Sequence, residues 1–245
     1  MRCKIVFKAD KPIRLDWNYL PALQRVIYYL IKTVTPEFAT FLHDHGFIAS
    51  KRRFKLFNYS PLFADRVKTS PKGIVFTPPI SWIISSPVDE FIDSLLNAML
   101  SRRYITFQRK VLILDQLVRV EQPHFGHTAK FVTLSPVVVS TGELRGDKLY
   151  KIFLHPHDPR FNRIVVDNVK NKFESLYGVR IEQPIDIKFT HVEKSKLYTY
   201  KGVNIKGWLG ELYITAPPNI INFIYNVGVG ENNSLGFGCL DYIGG

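Results

Sequence analysis

The sequence predicts an α+β protein built of two tandem ferredoxin-like domains, with the βαββαβ order that also occurs in RRM-like proteins. First, each half of the chain contains, in order, a strand, a helix, further strands, a second helix and a closing strand. Second, 245 residues leave about 120 for each half, an ordinary domain size. We expect the first domain at residues 1–122 and the second at 128–245, because segment 121–127 contains Pro, Gly and polar residues.

The first domain begins with a strand and an amphipathic helix. Residues 1–8 alternate apolar and charged side chains, as in a half-buried strand. From about Tyr19, apolar residues recur at helical spacing up to Val34, with Asn18 or Asp16 as the cap and Pro21 in the first turn. The same patterns predict a short helix from Pro36 to Leu42 that stops at Gly46, followed by strands at 54–59, 73–78 and 81–85. They also predict a helix after 86–89, whose buried face is Phe91, Leu95, Leu96, Met99 and Leu100. Strands at 104–108 and 111–120 complete the domain.

The second domain repeats this order. Its predicted elements are strands at 130–139 and 149–154, a helix from Asp158 to about Tyr177, strands at 186–190, 196–200 and 204–215, a helix starting at 217–219, and a closing strand at 239–243.

A glycine-rich loop at residues 228–238 follows the last helix. Four of the 15 glycines lie there, and glycine adopts positive φ without penalty and allows close backbone approach. The spacing matches neither the dinucleotide fingerprint nor the G-x4-G-K-S/T phosphate loop. A flexible surface hairpin is the alternative, but Leu235 and Phe237 between the glycines argue against it. The loop therefore predicts a backbone that approaches a ligand, without identifying the ligand.

The composition favours a polyanionic partner. The formal net charge is +12 and the pI is near 9.6, although a generally basic proteome is an alternative explanation. Cys3 and Cys239 are the only cysteines, and we expect both to be reduced core residues. The N-terminus lacks a signal-peptide pattern, and no apolar run approaches the roughly 20 residues that span a bilayer. We therefore expect a cytoplasmic protein without membrane contact.

Neither a metal centre nor a nucleophilic triad is indicated. The close histidine pairs are 43/45, 124/127 and 155/157, and a solvated turn explains the last pair better than zinc does. There is no Cys-x2-Cys, no H-E-x-x-H and no G-x-S-x-G motif. We expect no metal and no cofactor.

The segment from Tyr28 to Lys55 concentrates hydroxyl, imidazole and cationic groups. Each residue alone fits a solvated basic loop or a capping histidine. Together they provide a proton donor or acceptor, a hydroxyl and a cation, which suits RNA cleavage by the ribose 2′-OH without metal. The candidates are Tyr28, Tyr29, Lys32, His43, His45, Lys51, Arg52, Arg53 and Lys55.

Three motifs in this order resemble the CRISPR-associated repeat-processing endoribonucleases of the RAMP superfamily, which cut precursor CRISPR RNA. They are Leu42-His43 followed by residues 54–62, the stretch 131–137 that opens the second half, and the glycine loop with its Gly-Phe-Gly ending at 236–238. The resemblance spans most of the chain. It implies tandem ferredoxin-like domains, binding of the CRISPR repeat, and metal-independent cleavage that leaves a 2′,3′-cyclic phosphate and a 5′-hydroxyl.

The resemblance also implies site residues. The catalytic Tyr, His and Lys of the family match Tyr28, His43 and Lys55, with Tyr29, His45 and Lys51 as alternatives. The glycine loop is then expected to hold the RNA backbone and to pack against the first domain, with Phe237 as an anchor. The residues predicted to bind RNA are Lys51, Arg52, Arg53, Gly228, Gly230, Ser234, Gly236, Phe237 and Gly238.

Two other functions stay open. One is a non-catalytic repeat-binding subunit of a CRISPR effector complex, whose other subunits would then be partners. The other is a general RNA-binding module, although the second half lacks an RNP1-like strand. In each case the partner is RNA, and we expect a monomer or a weak homodimer.

Overall fold

The computed structural model describes residues 1–244 and has two β-rich domains, each with helices packed on its sheet. Gly245, which we assigned to the second domain, lies outside the described residues. The first domain comprises β1 (Arg2–Lys8), β2 (Ile13–Leu15), α1 (Leu20–Val34), α2 (Pro36–Thr40), a π-helical turn (Phe41–His45), β3 (Phe47–Ala49), β4 (Arg52–Phe54), β5 (Asn58–Tyr59), β6 (Phe63–Ser70), β7 (Gly73–Ser85), α3 (Asp89–Arg102), β8 (Tyr104–Phe107) and β9 (Lys110–Val120).

The second domain follows the same plan with one added hairpin. It comprises β10 (Thr128–Thr133), β11 (Ser140–Arg145), β12 (Lys148–Phe153), α4 (Phe161–Tyr177), β13 (Asp186–Tyr200), β14 (Val203–Thr215), α5 (Pro218–Val227), a 3₁₀ turn (Asn233–Leu235) and β15 (Leu240–Gly244).

The strand order confirms the predicted ferredoxin-like fold in both halves. In the first sheet β9, β1, β7 and β6 are successive neighbours, all antiparallel. In the second sheet the order is β13, β14, β10 and β15. Each set places the first strand of the βαββαβ unit between its third and fourth strands, which is the arrangement of that unit.

Each domain has its own hydrophobic core, since alternate strand residues such as Cys3, Ile5 and Phe7 face the helices. Among the described residues, the first core draws on positions 3–114 and the second on 129–240, with Leu56 as the one member of the second core from the first domain. This division supports the boundaries 1–122 and 128–245, which stay a prediction. No helix within residues 1–244 is long and apolar enough to cross a membrane.

The predicted strand at 54–59 is wrong, because the chain turns sharply in its middle. Leu56 has φ of 52° and is buried in the core of the second domain. The segment therefore contains only the last residue of β4, Phe54, and the whole of the two-residue strand β5. β4 pairs with β3 in a hairpin that periodicity did not predict. The short strand β2, together with β6 and β11, was also missed.

Other boundaries differ where local patterns give incomplete information. The expected strands at 73–78 and 81–85 form one strand, β7, and those at 186–190 and 196–200 form β13. The expected strand at 130–139 ends at Thr133. Val34 and Leu100, assigned to buried helix faces, are exposed in the last turns of α1 and α3. Tyr19, rather than Asn18 or Asp16, is the N-cap of α1.

The glycine-rich loop is packed between the domains. Gly236 lies against the first domain, where a Cβ would be 2.7 Å from Cε2 of the buried Tyr59. Gly228 lies against Asn58 in the same way, with a Cβ 3.2 Å from that of the asparagine. The expected packing of the loop against the first domain is therefore present.

Phe237 anchors the loop on the second domain rather than the first. Its buried ring belongs to a small apolar cluster with Val138 and Ile205. The ring also meets Tyr198 of β13 edge to face, with centroids 5.3 Å apart. The glycines thus make the contact with the first domain, and the phenylalanine holds the loop to its own domain.

Gly236→Ala should lower the free energy of unfolding by about 3 kcal/mol, because positive φ (87°) and the collision with Tyr59 both cost energy. Gly178→Ala is the matched control, since Gly178 has a φ of 72° and open space around its Cβ position. We expect that control to lose only about 1 kcal/mol. Urea unfolding measures both values, and equal losses would contradict the packing role of Gly236.

Candidate functional site

His43 is presented to solvent by the π-helical turn that ends the second helix. Leu42 is fully buried and fixes the turn, so His43 points outward with 74% of its side chain exposed. Gly46 ends the turn with φ of 67°, and its amide donates to the carbonyl of Phe41 at 2.7 Å. The exposure leaves the imidazole accessible to a ligand.

Asp44 holds the imidazole of His43 in place. Nδ1 of His43 lies 2.6 Å from Oδ1 of Asp44. The hydrogen bond to His43 lowers the pKa of the Asp44 carboxyl, which therefore stays ionised. Because this contact occupies Nδ1, Nε2 is the ring nitrogen available to a ligand. Sequence reasoning missed Asp44, because adjacency to a histidine does not by itself predict a hydrogen bond.

Tyr28 lies beside His43. Their rings meet edge to face with centroids 5.8 Å apart, and Tyr28 contacts Phe57 in the same way at 5.9 Å. Burial raises the pKa of the half-buried Tyr28, so its phenol is a neutral donor at physiological pH.

Lys55 lies under the turn that carries His43. Its Nζ donates to the carbonyl oxygen of His43 at 2.7 Å and to that of Leu42. Partial burial lowers the pKa of Lys55, and the positive charge of the nearby Arg53 lowers it further. An ammonium has three N–H donors, so two support the turn and one is left for a ligand.

The structure thus brings Tyr28, His43 and Lys55 together. Of the alternatives, Tyr29 points elsewhere, since its ring lies under the guanidinium of Arg102 at 4.9 Å. His45 is exposed on the same turn as His43, and Lys51 lies at the tip of the hairpin between β3 and β4. The catalytic roles of all six residues stay predictions.

A basic cleft of about 980 Å³ opens between the two domains next to this site. Two lining residues are acidic, Asp167 and Glu231. The cationic lining residues come from both domains and are Arg52, Arg53, Lys55, Lys151, Arg163 and Lys172. Such an excess of cations in a concave surface favours a polyanion.

Only some of the residues predicted to bind RNA line this cleft. Arg52, Arg53 and Ser234 line it, and Lys51 is exposed nearby on the hairpin. The others are buried in the loop: Gly228, Gly230, Gly236, Phe237 and Gly238. The amides of Gly228, Gly236 and Gly238 donate to carbonyls of Ile224, Asn233 and Pro136. Contact of these five buried residues with RNA stays a prediction. The amides of the three hydrogen-bonded glycines do not support it, because they are already paired within the protein.

Lys172 is a fully buried lysine whose side chain supports the loop from below. Its Nζ donates to the carbonyls of Gly228 (3.1 Å) and Gly230 (2.7 Å) and to Oδ1 of Asn233 (2.6 Å). Burial lowers the pKa of Lys172 to about 7, although nearby Glu231 raises it. Sequence reasoning missed this residue, whose only signal is a lysine within the apolar face of α4.

No group of three or more His, Cys, Asp or Glu side chains within residues 1–244 is arranged to hold a metal ion. Both cysteines, Cys3 and Cys239, are buried and free, as expected of core residues.

Two family models together match nearly the whole chain. The N-terminal model of the CRISPR-associated protein Cas6 matches residues 14–117, and the C-terminal model matches residues 120–242. The chain is 26% identical over 232 residues to a CRISPR-associated endoribonuclease Cas6 of Pyrococcus furiosus, covering 94% of this chain and 84% of that one. It is 23% identical to the endoribonuclease Cas6 1 of Methanocaldococcus jannaschii, covering 97% and 91%.

Solved structures share the fold over the full length. A Cas6-related protein of Pyrococcus furiosus has a TM-score of 0.86 at 24% identity, covering 99% of this chain and 98% of that one. A RAMP protein described as binding different RNA substrates has a TM-score of 0.84 at 24% identity, covering 99% of both chains.

Lys172→Met should flatten the pH dependence of stability. Between about pH 7 and the ordinary lysine pKa of 10.5, the unfolded chain binds a proton that the folded protein does not, so the unfolding free energy of the wild type rises with pH. One group contributes at most about 1.4 kcal/mol per pH unit. Urea titrations from pH 7.5 to 9.5 should give a smaller slope for the variant. Equal slopes would mean that the three oxygen acceptors keep Lys172 charged despite burial.

Proposed function

Because the chain belongs to the Cas6 family of CRISPR-associated proteins, we propose that it is an endoribonuclease that cleaves precursor CRISPR RNA within the repeat. The observation that carries the proposal is the meeting of Tyr28, His43 and Lys55 beside the basic cleft. The relatives named as endoribonucleases support the reaction class.

The reaction that suits this site is transesterification by the ribose 2′-OH. The 2′ oxygen attacks the adjacent phosphorus, the bond from phosphorus to the 5′ oxygen breaks, and a 2′,3′-cyclic phosphate and a 5′-hydroxyl result. The 2′-OH must lose a proton and the 5′ oxygen must gain one. His43 serves one of these transfers as general base or acid, since imidazole is the side chain most often used for proton transfer in catalysis.

Tyr28 and Lys55 have supporting parts in this proposal. The neutral phenol of Tyr28 donates a hydrogen bond that assists proton transfer or orients the ribose. The third N–H of Lys55 stabilises the negative charge that builds on the phosphorane oxygens. Both groups are held by contacts within the chain, so little reorganisation is needed.

The cleft next to this site holds the RNA strand. Arg52 and Arg53 contribute from the first domain, and Lys151 and Arg163 from the second, so that phosphates would bridge the domains. The glycine loop forms one wall with Ser234.

One observation favours a non-catalytic repeat-binding role as the second candidate. Lys55 already uses two of its donors on the carbonyls of Leu42 and His43, as a purely structural lysine would. Such a protein would bind repeat RNA tightly and leave it intact, alone or with other effector-complex subunits. Its predicted state as a monomer or weak homodimer is the same for both candidates.

His43→Ala should lower the cleavage rate of a labelled repeat RNA by about 10²–10⁴, because proton transfer is lost, with binding largely retained. His45→Ala, on the same exposed turn, is the matched control and should have a much smaller effect. Single-turnover gels measure the rates and filter binding measures the affinities. A large loss in His45→Ala alone would assign the role to His45.

Cleavage should continue in EDTA and should stop when the scissile nucleotide carries a 2′-deoxyribose, because the 2′ oxygen is the nucleophile. End-group analysis should find 2′,3′-cyclic phosphate on the upstream product. Loss of activity with chelator, or cutting of the deoxy substrate, would overturn the mechanism. Full binding without any scission by the wild type would favour the second candidate.

A further inference from the structure

A second concave surface, which we call the tyrosine–arginine groove, lies between α1 and β8. It has a volume of about 370 Å³ and an apolar floor that includes Val26, Leu30 and Ile105. Its rim carries Arg25, Tyr29, Arg102, Tyr104, Thr106 and Gln108. The cleavage chemistry proposed above uses none of these residues.

The rim is arranged as a cationic and aromatic stack. The guanidinium of Arg102 lies over the ring of Tyr29 at 4.9 Å and over that of Tyr104 at 5.2 Å. Nη2 of Arg102 also donates to the hydroxyl of Tyr104 at 3.4 Å. This contact leaves the tyrosines 53% and 41% exposed, so their rings remain open to a ligand.

The charge of the groove points to an anionic ligand. Arg25 and Arg102 line it, and no Asp or Glu is among its lining residues. Exposed aromatic rings next to arginines bind single-stranded nucleic acid, because bases stack on the rings and phosphates pair with the cations. An apolar floor suits the face of a base better than it suits a phosphate.

The groove is close to the proposed cleavage site. Tyr28 and Tyr29 are consecutive on α1, so their side chains leave the helix about 100° apart. Tyr28 contacts His43 and Tyr29 lines the groove, so consecutive residues of α1 reach the two surfaces. Arg25, Tyr29 and Lys32 lie along one exposed face of α1, because residues three and four apart share a helix face.

We propose that the tyrosine–arginine groove binds an unpaired nucleotide of the same RNA strand, outside the scissile phosphate. This inference rests on the proposed function for the identity of the RNA. The nucleotide stacks on Tyr29 or Tyr104, and its phosphates pair with Arg25 and Arg102. The groove thereby selects substrates that continue as single strands past the cleavage site.

The test measures the affinity for the organism's own repeat RNA, with 2′-deoxyribose at the scissile nucleotide to prevent cutting. Tyr29→Ala and Tyr104→Ala should each weaken binding by about tenfold, the effect of losing one stacked base. Tyr29→Phe keeps the stacking ring and should bind like the wild type. Arg102→Gln should weaken binding more than Arg14→Gln, which removes the same charge from an exposed position on β2, outside the groove.

RNA length then locates the contact. Shortening the repeat stepwise from each end should abolish the Tyr29→Ala penalty at one defined length, when the stacked nucleotide is removed. A penalty that persists in the shortest RNA that still binds would place Tyr29 at the cleavage site and overturn the proposal. Unchanged affinity in both tyrosine variants would also overturn it and would leave the groove to a protein partner.

The proposal for the groove and the proposal for the cleavage activity can be contradicted separately. If the wild-type protein cleaves no RNA, the unmodified repeat serves as the probe and the same affinities decide about the groove. If cleavage is present but the tyrosine variants bind normally, the proposed function stands and the groove proposal is wrong.

Discussion

The segment from Lys55 to Tyr59 is the constraint on which the rest of the structure depends, because it contacts both domains within five residues. Leu56 turns into the core of the second domain. Asn58 donates to the carbonyl of Asn226 at 2.8 Å, and Tyr59 packs against Gly236. These contacts set the position of one domain against the other. Lys55, at the start of the segment, is thereby held beneath His43 at the edge of the cleft.

The glycine loop completes this junction from the other side. Its glycines allow close approach to Tyr59 and Asn58, and two of its carbonyls accept hydrogen bonds from the buried Nζ of Lys172. Arg2 adds a further contact of the N-terminus with the second domain, since its guanidinium stacks on Tyr225 at 3.6 Å and donates to the Tyr225 carbonyl. Burying a cation is costly unless an acceptor meets it, and for Arg2 that acceptor is a carbonyl of the other domain, so this contact ties the two domains together.

The candidate site combines two partly buried side chains, Tyr28 and Lys55, with one exposed side chain, His43. Burial raises the pKa of Tyr28 and lowers that of Lys55, which in both cases favours the neutral form of the group. His43 remains in solvent and is oriented by Asp44. An RNA strand can therefore reach the imidazole without any opening of the fold, while the neighbouring groups are already in position. Lys55 also lines the basic cleft, and Tyr29, the neighbour of Tyr28 on α1, lines the tyrosine–arginine groove.

The sequence by itself determined the two βαββαβ units, because apolar periodicity is local and marks strands and helices directly. It also determined the basic charge, and motif resemblance selected Tyr28, His43 and Lys55, which do lie together. Only the tertiary structure decided the turn at Leu56, the burial of the glycine loop, and the contacts of Asp44 and Lys172. The turn, the buried loop and Lys172 depend on residues distant in the chain, and the Asp44 contact on side-chain geometry. Such packing leaves no periodic signal in the sequence, so a loop that was expected to offer its backbone to RNA has the amides of Gly228, Gly236 and Gly238 bonded within the protein instead.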